Sequence, residues 1–174
     1  MLQYDDLIER LCRLDEDAAL IDDSDLRYVM VIVGGGALIL MQYLTRATHD
    51  IDVLGAPQAL HRLLAKYDIN TQVTAYGDSF PYNYEDRLLP LPIKGKKIDF
   101  YTASLEDIVI AKLHSNRDPD LHDIEQPAVL KAIDWVLLEK LANSDDEVRA
   151  SALSMNRHKE FIYSYREYVK KNRS

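Results

Sequence analysis

The stretch from Val29 to Leu54, V-M-V-I-V-G-G-G-A-L-I-L-M-Q-Y-L-T-R-A-T-H-D-I-D-V-L, constrains the fold more than any other part of the chain. An apolar run ends in Gly34, Gly35 and Gly36, a short apolar segment follows, and a second β-rich run carries Asp50 and Asp52. Glycines at a strand-to-helix turn let the backbone close on a phosphate, and a helix N-terminus offers free N–H groups. About ten helical residues span about 15 Å, similar to a five-residue strand, so the chain can return and lay a second strand beside the first. Aspartates at i and i+2 of a strand share one face, about 7 Å apart. A phosphate cradle beside a divalent-cation site is the minimum equipment for phosphoryl transfer from a nucleoside triphosphate. The same D-x-D pattern also fits a half-buried strand with one wet face.

The bulk properties narrow the class. With 174 residues, 47% hydrophobic and 29% charged, the chain fits one ordinary globular domain. No apolar run reaches the roughly 18 residues of a membrane span. The opening M-L-Q-Y-D-D-L-I-E-R is acidic and mixed, unlike a secretory signal. Cys12 is the sole cysteine, which excludes an internal disulfide and suits a reducing compartment. A cytoplasmic protein without membrane contact is expected. A net charge of −8 argues against a strongly basic nucleic-acid binder. The charge is uneven, however. Residues 1–25 carry nine acids against Arg10 and Arg13, whereas the last twenty residues hold Arg157, Lys159, Arg166, Lys170, Lys171 and Arg173 against Glu160 and Glu167. That basic, tyrosine-bearing tail reads either as a solvated helix face or as a surface for RNA or an acidic partner.

Tyr4, Leu7, Ile8 and Leu11 recur at helical spacing and open the chain with an amphipathic helix. Tyr28–Val33 reads as a strand, 37–44 as a short buried helix and Ile51–Leu54 as a second strand. Leu60, Leu63, Leu64 and Tyr67 mark another helix, followed by a strand around 70–74. Residues 76–86 read as a loop. Residues 88–93 and 97–101 flank Lys94-Gly95-Lys96 as a hairpin, whose first arm Pro90 and Pro92 confine to a sheet edge. From Ser104, which with Asp107 makes a capping box, the remainder reads helical, punctuated by Pro127 and Asn143-Ser144 and ending in a helix over about 156–171. The class is α+β: a small mixed sheet followed by a helical C-terminal part.

Asp99, in K-K-I-D-F-Y, is the third candidate carboxylate. If its strand neighbours that of Asp50, three acids converge on Mg²⁺ or Mn²⁺, and one of them can act as general base toward an acceptor hydroxyl. Otherwise it is an exposed strand aspartate. Lys112 shares a helical stripe with Leu105, Ile108 and Val109, so it either snorkels to an edge or holds an anionic group. Arg46 is placed for a phosphate. Arg117-Asp118-Pro119-Asp120-Leu121-His122-Asp123 is a dense polar run without closed-site zinc spacing, and Asp118 or Asp120 also suits a helix cap. No G-x-S-x-G, G-x-G-x-x-G or Walker-type G-K-[ST] occurs.

Together, G-G-G-A-L at 34–38, R-A-T-H-D-I-D-V at 46–53, K-I-D-F-Y at 97–101 and L-E-D-I-V-I-A-K-L…R-D-P-D-L-H-D-I at 105–124 resemble the AbiEii-type minimal nucleotidyltransferases, known mostly from bacterial toxin–antitoxin and phage-defence loci. The blocks run in the family's order over about residues 28–124. The resemblance implies a polymerase-β-like nucleotidyltransferase fold, with a core over 1–130 and a C-terminal helical extension over 131–174 packed on it. It implies that Gly34, Gly35, Gly36, Arg46 and Arg117 hold the nucleoside triphosphate. Asp50, Asp52 and Asp99 would bind the metal, and Lys112 and Asp120 would complete the catalytic set, with Asp123 in support. It further implies a possible cognate antitoxin; the acceptor hydroxyl is expected on RNA or protein, with a small molecule left open. Members often carry a basic residue just before the aspartate matching Asp120; here it is Pro119. A catalytically silent antitoxin or binding module of the same fold is the alternative reading.

Overall fold

The β-rich run before the glycines forms β1, Tyr28–Val33, the middle strand of a five-stranded sheet. The computed structural model describes residues 1–72, 79–144 and 155–174. It divides into two compact units, one of residues 1–75 with 88–103 and one of residues 76–87 with 104–174.

In the first unit, β2 (Ile51–Leu54) runs antiparallel to β1, and β3 (Ile69–Asn70) runs parallel to β2. On the other side β5 (Ile98–Thr102) runs parallel to β1, and β4 (Leu89–Pro90) pairs antiparallel with β5 at the edge. The order is β3-β2-β1-β5-β4. Residues opposite one another in a ladder share a face. Pairing of Ile32 with Val53 and of Met30 with Phe100 therefore defines a buried face. Pairing of Val33 with Asp52, Asp52 with Asn70 and Val29 with Asp99 places the polar side chains on the opposite face.

Helix α1 (Tyr4–Ile21) buries Leu7, Leu11, Leu14 and Ala18 at the expected period. Asp15 lies on the same helix, only 4% exposed, and its carboxylate accepts from the backbone N–H groups of Lys96, Lys97 and Ile98 at 2.7, 2.8 and 2.8 Å. A side chain at Gly95 has no room, since a Cβ there would lie 2.0 Å from the Ile98 carbonyl oxygen. The two arms expected around Gly95 do pair antiparallel, and Leu91 N–H donates to the Phe100 carbonyl at 2.9 Å, with a longer connection between them. β4 pairs with the far end of β5, Leu89 with Thr102 and Pro90 with Tyr101. In the connection itself, the Lys96, Lys97 and Ile98 N–H groups are taken by Asp15.

Helix α2 (Gly34–Leu40) stops earlier than the apolar pattern through 44 implied. Gln42 adopts φ 64°, and the Tyr43 and Gln42 amides bond back to the Leu38 and Ile39 carbonyls, both at 2.9 Å. This is a Schellman stop, with glutamine in the left-handed position usually filled by glycine. Helix α3 (His61–Lys66) buries Leu63 and Leu64. Of the strand expected over 70–74 only Asn70 belongs to β3, and 73–74 lie outside the described residues.

The second unit is helical: α4 (Leu105–Ser115), α5 (Asp118–Ile124), α6 (Pro127–Ala132), α7 (Trp135–Asn143) and α8 (Met155–Asn172). Ser104 caps α4 as expected, its hydroxyl accepting from the Asp107 N–H at 3.1 Å. Helix α4 packs against α5, α7 and α8. Ile108, Val109, Leu113, Ile124, Leu138 and Phe161 supply the core. Position 130, the expected end of the core segment, falls inside α6. The expected loop over 76–86 is described only from 79 onward, where Tyr84–Arg87 form a 3₁₀ turn. No described helix is long and apolar enough to cross a membrane.

Candidate active site

The three glycines of the strand-to-helix turn are not equivalent. Gly34 has φ +66°, and a Cβ on it would lie 2.7 Å from Asp52 Oδ2. A Cβ on Gly35 would lie 2.6 Å from Arg46 Nη2. A carboxylate and a guanidinium therefore press against successive residues of the turn. Gly36 is different: a Cβ there meets only the Asp50 carbonyl oxygen at 3.9 Å, ordinary contact. The register explains the Asp52 contact, because Asp52 pairs with Val33, the last residue of β1 before the turn. Asp52 Oδ1 also accepts from Asn70 Nδ2 at 2.9 Å, which fixes its rotamer. Asp50 stands just before β2; its backbone carbonyl accepts from Thr48 Oγ1 at 3.2 Å, and its half-buried carboxylate takes no partner among the described residues. Arg46 Nη1 donates to the Ala47 carbonyl at 3.1 Å.

Asp99 does not join this group. It shares the polar sheet face with Asp52 but pairs with Val29, at the opposite end of β1 from Val33. Four residues of strand separate those ends by about 13 Å. Arg27 occupies the Asp99 carboxylate, Nη2 to Oδ1 at 2.6 Å and Nε to Oδ2 at 3.3 Å, and holds it below the usual carboxylate range. Arg27 also donates to the Gly95 and Lys96 carbonyls at 2.9 and 3.0 Å. The expected convergence of three acids does not form, because Asp99 lies at the far end of β1 from Asp52. Asp99 instead anchors the connection into β5.

The late block forms its own cluster in the second unit. Lys112, 7% exposed, donates to Asp120 Oδ1 at 2.7 Å and Asp123 Oδ2 at 3.1 Å. Ser115 Oγ and Arg117 Nε both donate to Asp120 Oδ2, at 2.6 and 2.8 Å. Burial pushes the Asp120 carboxyl up, but the Lys112 and Ser115 hydrogen bonds and the Lys112 charge outweigh it and leave the group below its ordinary value. Lys112 therefore points into its unit, as its stripe implied, and is held by two carboxylates. Pro119 sits in the first turn of α5, where a missing N–H costs nothing.

Over residues 9–173 the chain matches the family described as "Nucleotidyltransferase of unknown function (DUF6036)". The chain belongs to this nucleotidyltransferase family. Comparison with curated proteins finds no match. Comparison with solved structures finds none either. The mixed α+β architecture, with its five-stranded mixed sheet, is consistent with a nucleotidyltransferase-like fold.

For this DUF6036 member, the donor set at the turn fits a magnesium-type ion better than a caged one. Mg²⁺ binds through one or two carboxylates, substrate phosphates and retained water. Asp50 and Asp52 are the residues that could hold such an ion; among the described residues no three His, Cys, Asp or Glu side chains gather around one point. Sequence reasoning missed Asn70, which orients Asp52, and Arg27, which occupies Asp99. Period-two alternation puts Asn70 on the Asp52 face only once the β2–β3 register is known. No local pattern marks Arg27.

Proposed function

We propose that this chain transfers a nucleoside monophosphate from a nucleoside triphosphate to an acceptor hydroxyl, using Mg²⁺ (or Mn²⁺). The observation that supports this reading is the contact of Asp52 and Arg46 with Gly34 and Gly35. Opposite charges packed on a glycine turn suit a ligand that is both anionic and metal-bound. The absence of side chains at Gly34 and Gly35 lets Asp52 and Arg46 close on the turn, so that a phosphate bound there would meet both. Arg46 offers a planar fork of donors to those oxygens. Asn70 keeps the Asp52 carboxylate turned toward the glycines. Asp50 and Asp52 would hold the cation, which supplies charge neutralisation on the phosphates. In the reaction the acceptor oxygen bonds to the α-phosphorus, the bond to the β-phosphate bridge breaks, pyrophosphate leaves, and the hydroxyl proton is released. Asp99 takes no part in this proposal.

The resemblance to AbiEii-type proteins extends the proposal to a toxin–antitoxin or defence component acting on RNA or protein, with a possible cognate antitoxin. The test is label transfer from each of the four α-³²P nucleoside triphosphates, with purified protein, Mg²⁺ and a cell extract. Mg²⁺-dependent label on RNA or protein supports the reading and names the acceptor class. If no label moves while nucleotide still binds, the silent binding module replaces it.

A further inference from the structure

The second unit holds a cleft of about 560 Å³ between the C-terminal end of α4 and the start of α8. His114, Ser115, Arg157, Lys159, Phe161 and Tyr163 line it, and among the described residues that line it Glu160 is the one carboxylate. Arg157 and Lys159 give it a net positive lining, against the −8 of the whole chain. The His114 ring stacks on Phe161, with centroids 4.2 Å apart and planes within 12°. Burial, with the Arg157 and His158 charges, pushes the His114 imidazole down to about 4, so near neutral pH it is an uncharged flat ring. Tyr163 lines the same cleft and is 68% exposed. Tyr163 and Ser164 also line a second cleft of about 450 Å³ that runs on to Lys170. The two clefts share Asn116, Tyr163 and Ser164, and the second is lined by Glu125 and Glu167 as well as Lys170 and Lys171. Neither Lys159 nor Lys170 makes an ion pair among the described residues.

We infer that the cleft at the start of α8 binds a nucleotide unit, a flat base among its aromatic side chains and its phosphate on Lys159 and Arg157. Aromatic faces interleaved with cations suit that chemistry, because every base has a π-face and every nucleotide an anion. The inference does not rest on the reading of the glycine turn, which lies in the other unit. Ser115, which lines the cleft, also donates to Asp120 at 2.6 Å.

The test is titration calorimetry of the full chain without divalent metal, using AMP, UMP, inorganic phosphate and the RNA hexamers r(A)₆ and r(U)₆. The inference expects saturable binding of AMP or UMP, weakened about tenfold by Lys159→Ala and by Tyr163→Ala, with unchanged melting temperatures. Hexamers that bind no tighter than the mononucleotide identify a free nucleotide as the occupant; tenfold tighter hexamers identify a strand. Three outcomes overturn the inference. One is no binding at millimolar nucleotide. Another is inorganic phosphate competing as well as AMP. The last is binding that survives both variants but is lost in Asp52→Asn.

Discussion

Alanine placed singly at Gly34, Gly35 and Gly36 should produce three different proteins. At Gly34 the left-handed φ of +66° costs alanine about 1–2 kcal/mol. Its Cβ, built 2.7 Å from Asp52 Oδ2, also forces the carboxylate away from the turn. Displacing it endangers the 2.9 Å bond from Asn70, worth about 1 kcal/mol. The sum is about 2–3 kcal/mol, or a fall in Tm of about 4–12 °C for a chain of this size. At Gly35 the clashing atom is the far end of Arg46, which can swing aside, so stability changes by less than about 1 kcal/mol, but the guanidinium no longer rests on the turn. At Gly36 the nearest atom is 3.9 Å away and the residue is helical, so alanine should stabilise by about 0.5–1 kcal/mol. Thermal unfolding gives the stabilities, and Mg²⁺-dependent nucleotide binding gives the site. Gly34→Ala should lose both, Gly35→Ala mainly binding, and Gly36→Ala neither. If Gly34→Ala melts and binds like Gly36→Ala, the packed glycine turn is not the nucleotide site.

Asp15→Ala should cost about 3 kcal/mol or more in urea unfolding, because three backbone donors at the entry to β5 lose their buried carboxylate; a loss below about 1 kcal/mol would mean that water replaces it. Lys112→Ala leaves Asp120 and Asp123 buried without their cation and should cost about 3–5 kcal/mol, measured the same way. Because the folded His114 value is depressed to about 4 against about 6.5 unfolded, its contribution is complete above pH 6.5 and is lost as pH falls toward 4. The unfolded chain binds the extra proton in that window, so stability should drop by up to about 3 kcal/mol. His114→Gln should flatten the slope between pH 6.5 and 5, and an unchanged slope would assign it elsewhere.

What the sequence disclosed and what it withheld follow from locality. β1 and β2 were legible to the residue because β-rich runs are closed by glycines on one side and open on an aspartate on the other. The inward aim of Lys112 was legible from its stripe, although its partners lie beyond the left-handed Asn116, at a distance that no helical period reaches. The end of α2 was hidden because Gln42 does what glycine usually does. Asp99 was misplaced for a topological reason. Its strand and its wet face were readable, but only the parallel pairing of β5 with β1 sets it at the end away from Asp52. Strand order and direction are long-range properties, and no spacing within K-K-I-D-F-Y encodes them.

The most direct test of the central claim compares Asp52→Asn with Asp99→Asn in the α-³²P transfer reaction. Both carboxylates share one sheet face and both changes are isosteric, but only Asp52 touches the glycine turn. The account expects label transfer to fall at least about a hundredfold in Asp52→Asn. Asp99→Asn should stay near wild type and lose at most about 1 kcal/mol of stability with its exposed Arg27 pair. Transfer that survives in Asp52→Asn, or that is lost in a folded Asp99→Asn, would contradict it.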